Sequence, residues 1–296
     1  MESVKTVFLT GSTGFIGKNL LLKLYGEYKV TSYVRNTPLS INENIVIHLA
    51  GKAQDLKKPL GFHEYYKVNT ELSNFVFSNF LNSESDVFIM LSSVKAVADS
   101  VVGVLTEDSP SNPLTHYGKS KYEAEKFIFS SSIPIGKRVY VLRPCMVYGP
   151  GDKGNLNLLY KIVNKGFPWP LGAFENKRSF CSVENLIFVI KELIEREDIP
   201  SGVYNVCDDG PLSTNQVISI LSESVKSNSK FLNLPKWFIY FLAKLGNVFK
   251  LPLNDENLQK LTESYVVCNN KIKKAIGKPF PVSSKDGILK KFNSFR

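Results

Sequence analysis

The chain has 296 residues, 43% of them hydrophobic and 22% charged, enough to bury a large core and the length of one large or two coupled domains. No apolar run approaches the ~18 residues of a membrane span, and the first residues lead straight into a strand, so the chain is expected to lack a transmembrane segment and a secretory signal and to be cytoplasmic. Its net charge of +10 all falls between Lys226 and Arg296, where 14 Lys and Arg face four acids; a solvated basic face, a nucleotide diphosphate or an anionic membrane would each suit it, whereas no aromatic stacking motif speaks for nucleic acid.

The apolar run Val7-Phe8-Leu9 is followed by Thr10-Gly11-Ser12-Thr13-Gly14-Phe15-Ile16-Gly17 and the helix-periodic segment Leu20 to Leu24. This reads as a strand, a glycine turn and a helix N-terminus. In that setting Gly11 permits the turn, Gly14 a close approach to a pyrophosphate, and Gly17 close packing of helix on strand. Lys29 to Val34 is β-rich and ends at Arg35, where an acid for the ribose hydroxyls of NAD would stand. An Arg there suits a 2′-phosphate and tilts the expectation toward NADP(H) over NAD(H), unless it is only a surface residue.

A dozen residues, including Pro38, separate Arg35 from the strand Ile45-Val46-Ile47-His48-Leu49-Ala50-Gly51. That is too short for a crossover helix plus a strand. The expected fold is therefore α/β, a Rossmann doubly wound parallel sheet shortened at its third-strand edge, with Ala50 and Gly51 against the cofactor and His48 in the core. Helical spacing predicts one helix from Glu64 to Phe80, interrupted by Asn69. The buried strand Val87 to Leu91 ends at Ser92 and Ser93, and Tyr117-Gly118-Lys119-Ser120-Lys121 follows. Tyr117 and Lys121 share a helix face one turn apart. A phenol ordinarily titrates near 10; the ammonium is expected to lower that, and a serine hydroxyl to be the second donor to a substrate oxygen.

Together with Leu142-Arg143-Pro144-Cys145-Met146-Val147-Tyr148-Gly149-Pro150-Gly151, these stretches resemble the extended short-chain dehydrogenase/reductase family, in its branch of nucleotide-sugar epimerases, dehydratases and reductases. The resemblance implies Ser93, Tyr117 and Lys121 as the catalytic set, with Ser93 rather than Ser92 in the family's Ser/Thr position. It implies Gly11, Thr13, Gly14, Phe15, Ile16, Gly17, Arg35, Leu49, Ala50, Gly51, Asn69 and Pro144, with Tyr117 and Lys121, around the dinucleotide. Ser93, Lys95, Met146, Asn155 and Arg178 would meet the nucleotide-diphospho-sugar, Arg178 as a bidentate partner of the diphosphate. Residues 1–150 with about 182–208 would form the dinucleotide domain; about 151–181 and 209–296 would form a smaller C-terminal α/β substrate domain. A homodimer through the helices of Phe75 and Tyr117 is the family expectation.

Val94 and Lys95 stand where family dehydratases carry an acid pair, so hydride exchange at a ring carbon, C4, is expected instead of dehydration. Reduction of a 4-keto UDP-HexNAc derivative for surface polysaccharide is expected, with 4-epimerisation of a UDP-HexNAc as the alternative and a non-catalytic nucleotide sensor as a different class. Gly202 to Val206 reads as a further strand, followed by a helix started by Ser213-Thr214. Pro235 to Gly246 brackets a helix apolar all round, expected to be buried as a lid or, with the lysine tail, to lie on a membrane where polyprenyl-linked sugars are assembled. The separated Cys145, Cys181, Cys207 and Cys268 fit reduced thiols. His63-Glu64 is followed by Lys67 where a zincin would have His, so no metal is expected.

Overall fold

The computed structural model describes residues 4–35, 37–53, 61–152, 154–226, 230–249 and 254–293. β1 (Thr6–Thr10), α1 (Phe15–Leu24), β2 (Lys29–Ser32) and β3 (Ile45–His48) open the chain; α2 (Phe62–Tyr66), α3 (Leu72–Leu81), β4 (Val87–Leu91), the two-residue β5 (Val104–Leu105), α4 (His116–Ser130) and β6 (Arg138–Pro144) follow. Then come β7 (Met146–Tyr148), α5 (Asn155–Asn164), β8 (Phe180–Ser182), α6 (Val183–Glu195), β9 (Gly202–Val206) and α7 (Thr214–Ser224). The chain closes with α8 (Lys236–Phe249), α9 (Asp255–Thr262), β10 (Val266–Val267), α10 (Asn270–Ile276) and α11 (Ser284–Asn293).

Six parallel strands form one sheet in the order β2-β1-β3-β4-β6-β9. β2 is its outer edge and largely exposed, and residues 33–44 pass to β3 without a helix among the described residues. The shortened edge expected from the short gap is thus present. Alternate residues of the buried strands feed opposite faces. Val7, Leu9, Ile45, Ile47 and Ile89 pack with Leu20 of α1 and with Leu186, Ile190 and Leu193 of α6.

On the other face, Phe8, Val46, Phe88 and Met90 pack with Phe77 and Phe80 of α3 and Ile128 of α4. A third cluster, away from the sheet, joins Leu156, Trp169, Phe180, Val217, Leu221, Ile239 and Phe292. α7 starts as its sequence says: Ser213 accepts from the Gln216 N–H and Gln216 returns the bond, a full capping box.

Two helices depart from their sequence reading. The segment expected as one helix from Glu64 to Phe80 begins at Phe62 and widens into a π turn at Lys67–Glu71. Asn69 lies in this turn, and its side chain accepts from the Lys52 N–H (2.7 Å) and donates to the Lys52 carbonyl (3.1 Å) and Ser120 Oγ (3.0 Å). Such pinning holds the extra residue that the wide turn contains. In α8, burial all round is not found: only Ile239, Ala243 and Gly246 are buried.

His48 is a core residue, fully buried, with Nδ1 2.8 Å from Thr10 Oγ1 and Nε2 2.8 Å from Ser73 Oγ. Burial, helped by the Lys121 ammonium, pushes its pKa from 6.5 down to about 3. The unfolded chain therefore takes up a proton below pH 6.5 that the folded chain refuses until about pH 3, and stability contributed by this group is lost as pH falls through that window. Urea unfolding at pH 4.5 against pH 7 should show a loss of about 3 kcal/mol traceable to His48. The His48→Gln variant, less stable at pH 7, should show a shallower pH slope; an unchanged slope would contradict this account.

Candidate active site

The glycine turn is built by contact. Gly11 has φ +74°, and a Cβ there would lie 2.6 Å from the Ala50 nitrogen and 2.7 Å from the Leu49 carbonyl carbon. At Gly17 a Cβ would sit 2.2 Å from the Gly11 oxygen. Gly14 is the N-cap of α1; no side chain caps the helix and no acid occupies its first turn, while Thr13 and Gly14 are exposed and Phe15 and Ile16 half-buried. An open helix end with uncapped N–H donors and unneutralised positive dipole fits a dinucleotide's pyrophosphate.

The carboxyl end of β3 ties this turn to the other predicted residues. A Cβ on Gly51 would be 3.1 Å from both Asn69 Oδ1 and Lys121 Nζ. Lys121 is buried, donates to the Leu91 carbonyl at 2.9 Å, and has its pKa lowered to about 8 by burial, with Glu125 opposing. One turn earlier, Tyr117 keeps part of its surface open while packing edge-on against Tyr65. Burial pushes its phenol pKa up, and the hydrogen bond with Ser93 opposes that.

The expected lowering by Lys121 is therefore not the dominant influence: burial is, and the ammonium is committed to the Leu91 carbonyl. The two serines diverge. Ser92 donates to Glu125, while Ser93, at the N-cap of the turn Val94–Ala96, accepts from the Lys95 N–H at 3.2 Å and lies near enough to Tyr117 to influence its phenol.

The remaining predicted residues are spread more widely. Lys95 Nζ donates to the Asp99 carbonyl at 2.7 Å and stands 4.7 Å over the Tyr265 ring. Burial lowers its pKa, Asp99 opposes, and nearby Arg178 adds to the lowering. Arg178 is half-buried between backbone bridges to Leu212 and Tyr265, and donates to the Lys260 carbonyl from α9. Pro144 ends β6, and Met146 starts β7 beside Phe180. Arg35 is exposed just past the end of edge strand β2. Asn155 opens α5, but its side chain lies outside the described residues. Among the described residues no group of three or more His, Cys, Asp or Glu side chains could hold a metal ion.

The NAD dependent epimerase/dehydratase family model matches residues 7–207, from the first strand past the last strand of the sheet. The chain belongs to this family. Its members are NAD-dependent enzymes of nucleotide-sugar chemistry, of the extended short-chain dehydrogenase/reductase type. A UDP-glucose 4-epimerase of Vibrio cholerae is 30% identical, over 98% of this chain and 95% of its own length. The N-acetyl-alpha-D-glucosaminyl-diphospho-ditrans,octacis-undecaprenol 4-epimerase of Escherichia coli O157:H7 is 26% identical over 90% of this chain and 84% of its own length. The solved UDP-glucuronic acid 4-epimerase of Bacillus cereus, in complex with NAD, shares the fold at a TM-score of 0.73 and 19% identity, covering 97% of each chain.

Beside the candidate site, two charged residues were missed by the sequence reading. Glu125 follows Lys121 by one further turn, and Arg143 Nη2 donates to it at 2.6 Å with Nε at 3.1 Å from both oxygens. Both are buried. The signal was there: an acid continuing the Tyr117–Lys121 face, and Arg143 directly following the apolar run Val139-Tyr140-Val141-Leu142 in a buried strand, which burial permits only when paired.

Proposed function

We propose that the enzyme carries out NAD(P)-dependent oxidoreduction at C4 of a nucleotide-diphospho-sugar, reducing a 4-keto UDP-HexNAc derivative during surface-polysaccharide precursor synthesis. One observation carries this reading: Tyr117 sits one turn from a Lys121 whose ammonium reaches the Gly51 end of the strand behind the glycine turn, with the Ser93 hydroxyl close enough to oppose the rise of the phenol pKa. When bound, the dinucleotide supplies the hydride. Ser93 orients the substrate O4 by a hydrogen bond, and Tyr117 delivers the proton to that oxygen. Burial keeps the phenol protonated, which is the form a ketone reduction consumes. Lys121 holds its positive charge beneath the site up to about pH 8. Lys95 and Arg178, the guanidinium close enough to lower the Lys95 pKa, meet the anionic substrate, with residues 151–181 and 209–296 as the substrate half.

Arg35, exposed at an open sheet edge with no acid at the strand end, supports NADP(H) that exchanges at each turnover. A second reading, UDP-HexNAc 4-epimerase with retained NAD, is favoured by the 30% identical epimerase relative. A sensor without turnover is the reading from another class. On the first reading the enzyme works as a homodimer in the cytoplasm, at the inner face of a membrane.

Incubation of the purified protein with a UDP-4-keto-6-deoxy-HexNAc and either NADPH or NADH, followed by absorbance, tests the reductase. NADPH should be consumed in preference, and Arg35→Asp should shift the preference toward NADH by about tenfold, the worth of one charge-assisted hydrogen bond. Interconversion of UDP-HexNAc epimers with no added cofactor would establish the second reading instead. No turnover on either substrate class would leave the sensor.

A further inference from the structure

Residues 226–250 hold five lysines, Lys226, Lys230, Lys236, Lys244 and Lys250, and neither Asp nor Glu. α8 lies inside this stretch and buries one narrow stripe, Ile239, Ala243 and Gly246, against the third apolar cluster. The opposite stripe, Trp237, Phe241, Lys244 and Val248, runs at three-and-four spacing along the helix and faces solvent, with Tyr240 and Phe249 beside it. Trp237 is 71% exposed, Phe241 52% and Val248 73%. Three turns of aromatic and aliphatic side chains in water are unusual for a globular surface and mark an interaction site.

We infer that α8 is a membrane-surface helix that seats this face in the headgroup region of an anionic bilayer. This gives the membrane location of the proposed function a physical surface and does not depend on the reaction assigned. The charge pattern selects the occupant: aromatic side chains that suit the water–lipid boundary are interleaved with Lys236 and Lys244 and no acid lies on the helix itself, the adjoining Asp255 of α9 being held by the Asn247 amide at 2.6 Å, which is the composition of an interfacial helix on anionic lipid. A second copy suits it poorly, because a two-fold contact through this stripe would set the lysines against themselves. At about 1.5 Å per residue the 14 residues of α8 span about 21 Å, short of the ~30 Å hydrocarbon layer, so the helix lies along the surface.

Its setting connects that surface to the substrate side. Tyr240 packs edge-on against Phe174 and lines a cleft with Asp255, Leu258, Gln259 and Glu263 of the α9 region, and α9 supplies the Lys260 carbonyl that holds Arg178.

The chain has two tryptophans, and Trp169 is buried at 3% exposure, so a change of emission on adding lipid reports on Trp237. With phosphatidylglycerol vesicles at low salt, the full-length protein should float with the vesicles and its emission should shift to shorter wavelength. Phosphatidylcholine vesicles should bind it more weakly. Trp237→Ser with Phe241→Ser should lower vesicle affinity at least tenfold while leaving the melting temperature and turnover of a water-soluble sugar nucleotide unchanged. Lys236→Ser and Lys244→Ser should each cost about fivefold on anionic vesicles only.

Wild-type protein that stays unbound with unshifted emission overturns the inference. So does a concentration-dependent dimer that Trp237→Ser dissolves, since a second copy would then cover the face. Turnover measured on the same preparations separates this failure from a failure of the reductase reading.

Discussion

Replacing Tyr117 with Phe should lower kcat for the 4-keto sugar nucleotide by about a thousandfold, within the range that positioned acid–base groups contribute. Fold and dinucleotide affinity should persist, because the ring still packs against Tyr65 and only the hydroxyl is removed. Steady-state kinetics with NADPH, alongside a thermal melt, measure both. Activity within a few fold of wild type would mean that the proton comes from elsewhere. The same kinetics against pH should show an alkaline decline beginning near pH 8, where the buried Lys121 ammonium, its pKa lowered to about 8, gives up its proton.

The largest stability effect is expected at Glu125. Its carboxylate takes three contacts from the Arg143 guanidinium and a hydrogen bond from Ser92, all out of water. Glu125→Ala strands a buried guanidinium and should cost about 3–5 kcal/mol, whereas Glu125→Gln, which keeps the acceptor oxygen for Ser92, should cost less. Urea midpoints compare the variants. A loss under about 1 kcal/mol would show that water reaches Arg143 and that the pair is no strut. The effect should also reach the chemistry. Glu125 opposes the lowering of the Lys121 pKa, so the alkaline decline should move to lower pH in both variants, a readout that simple loosening of the core would not produce.

Much of the candidate site's geometry was legible because its signals are local. Gly11 must adopt a positive φ, and Gly11 and Gly17 must leave room for backbone; only glycine does both, so their spacing announces the turn. Tyr117 and Lys121 are four apart on a helix that Thr115 caps, and helical geometry alone puts them on one face. The missing edge was legible from arithmetic, since residues 33–44 cannot hold a crossover helix and a strand.

The chain's own order of residues thus determined the period-two strands, the capped helices, the glycine turn and the Tyr–Lys pair, because each depends on neighbours a few positions away. Tertiary structure decided the rest. The π turn carries Asn69, whose partners Lys52 and Ser120 lie 17 and 51 residues away. Ser92 and Ser93 part company because Glu125, 33 residues beyond Ser92, claims only the first. Glu125 and Arg143 pair across 18 residues because α4 is laid over β6, and α8, apolar all round in composition, buries one stripe only because a single neighbouring cluster is there to receive it. Such outcomes depend on which distant segments share a low-dielectric interior, and periodicity carries no record of that.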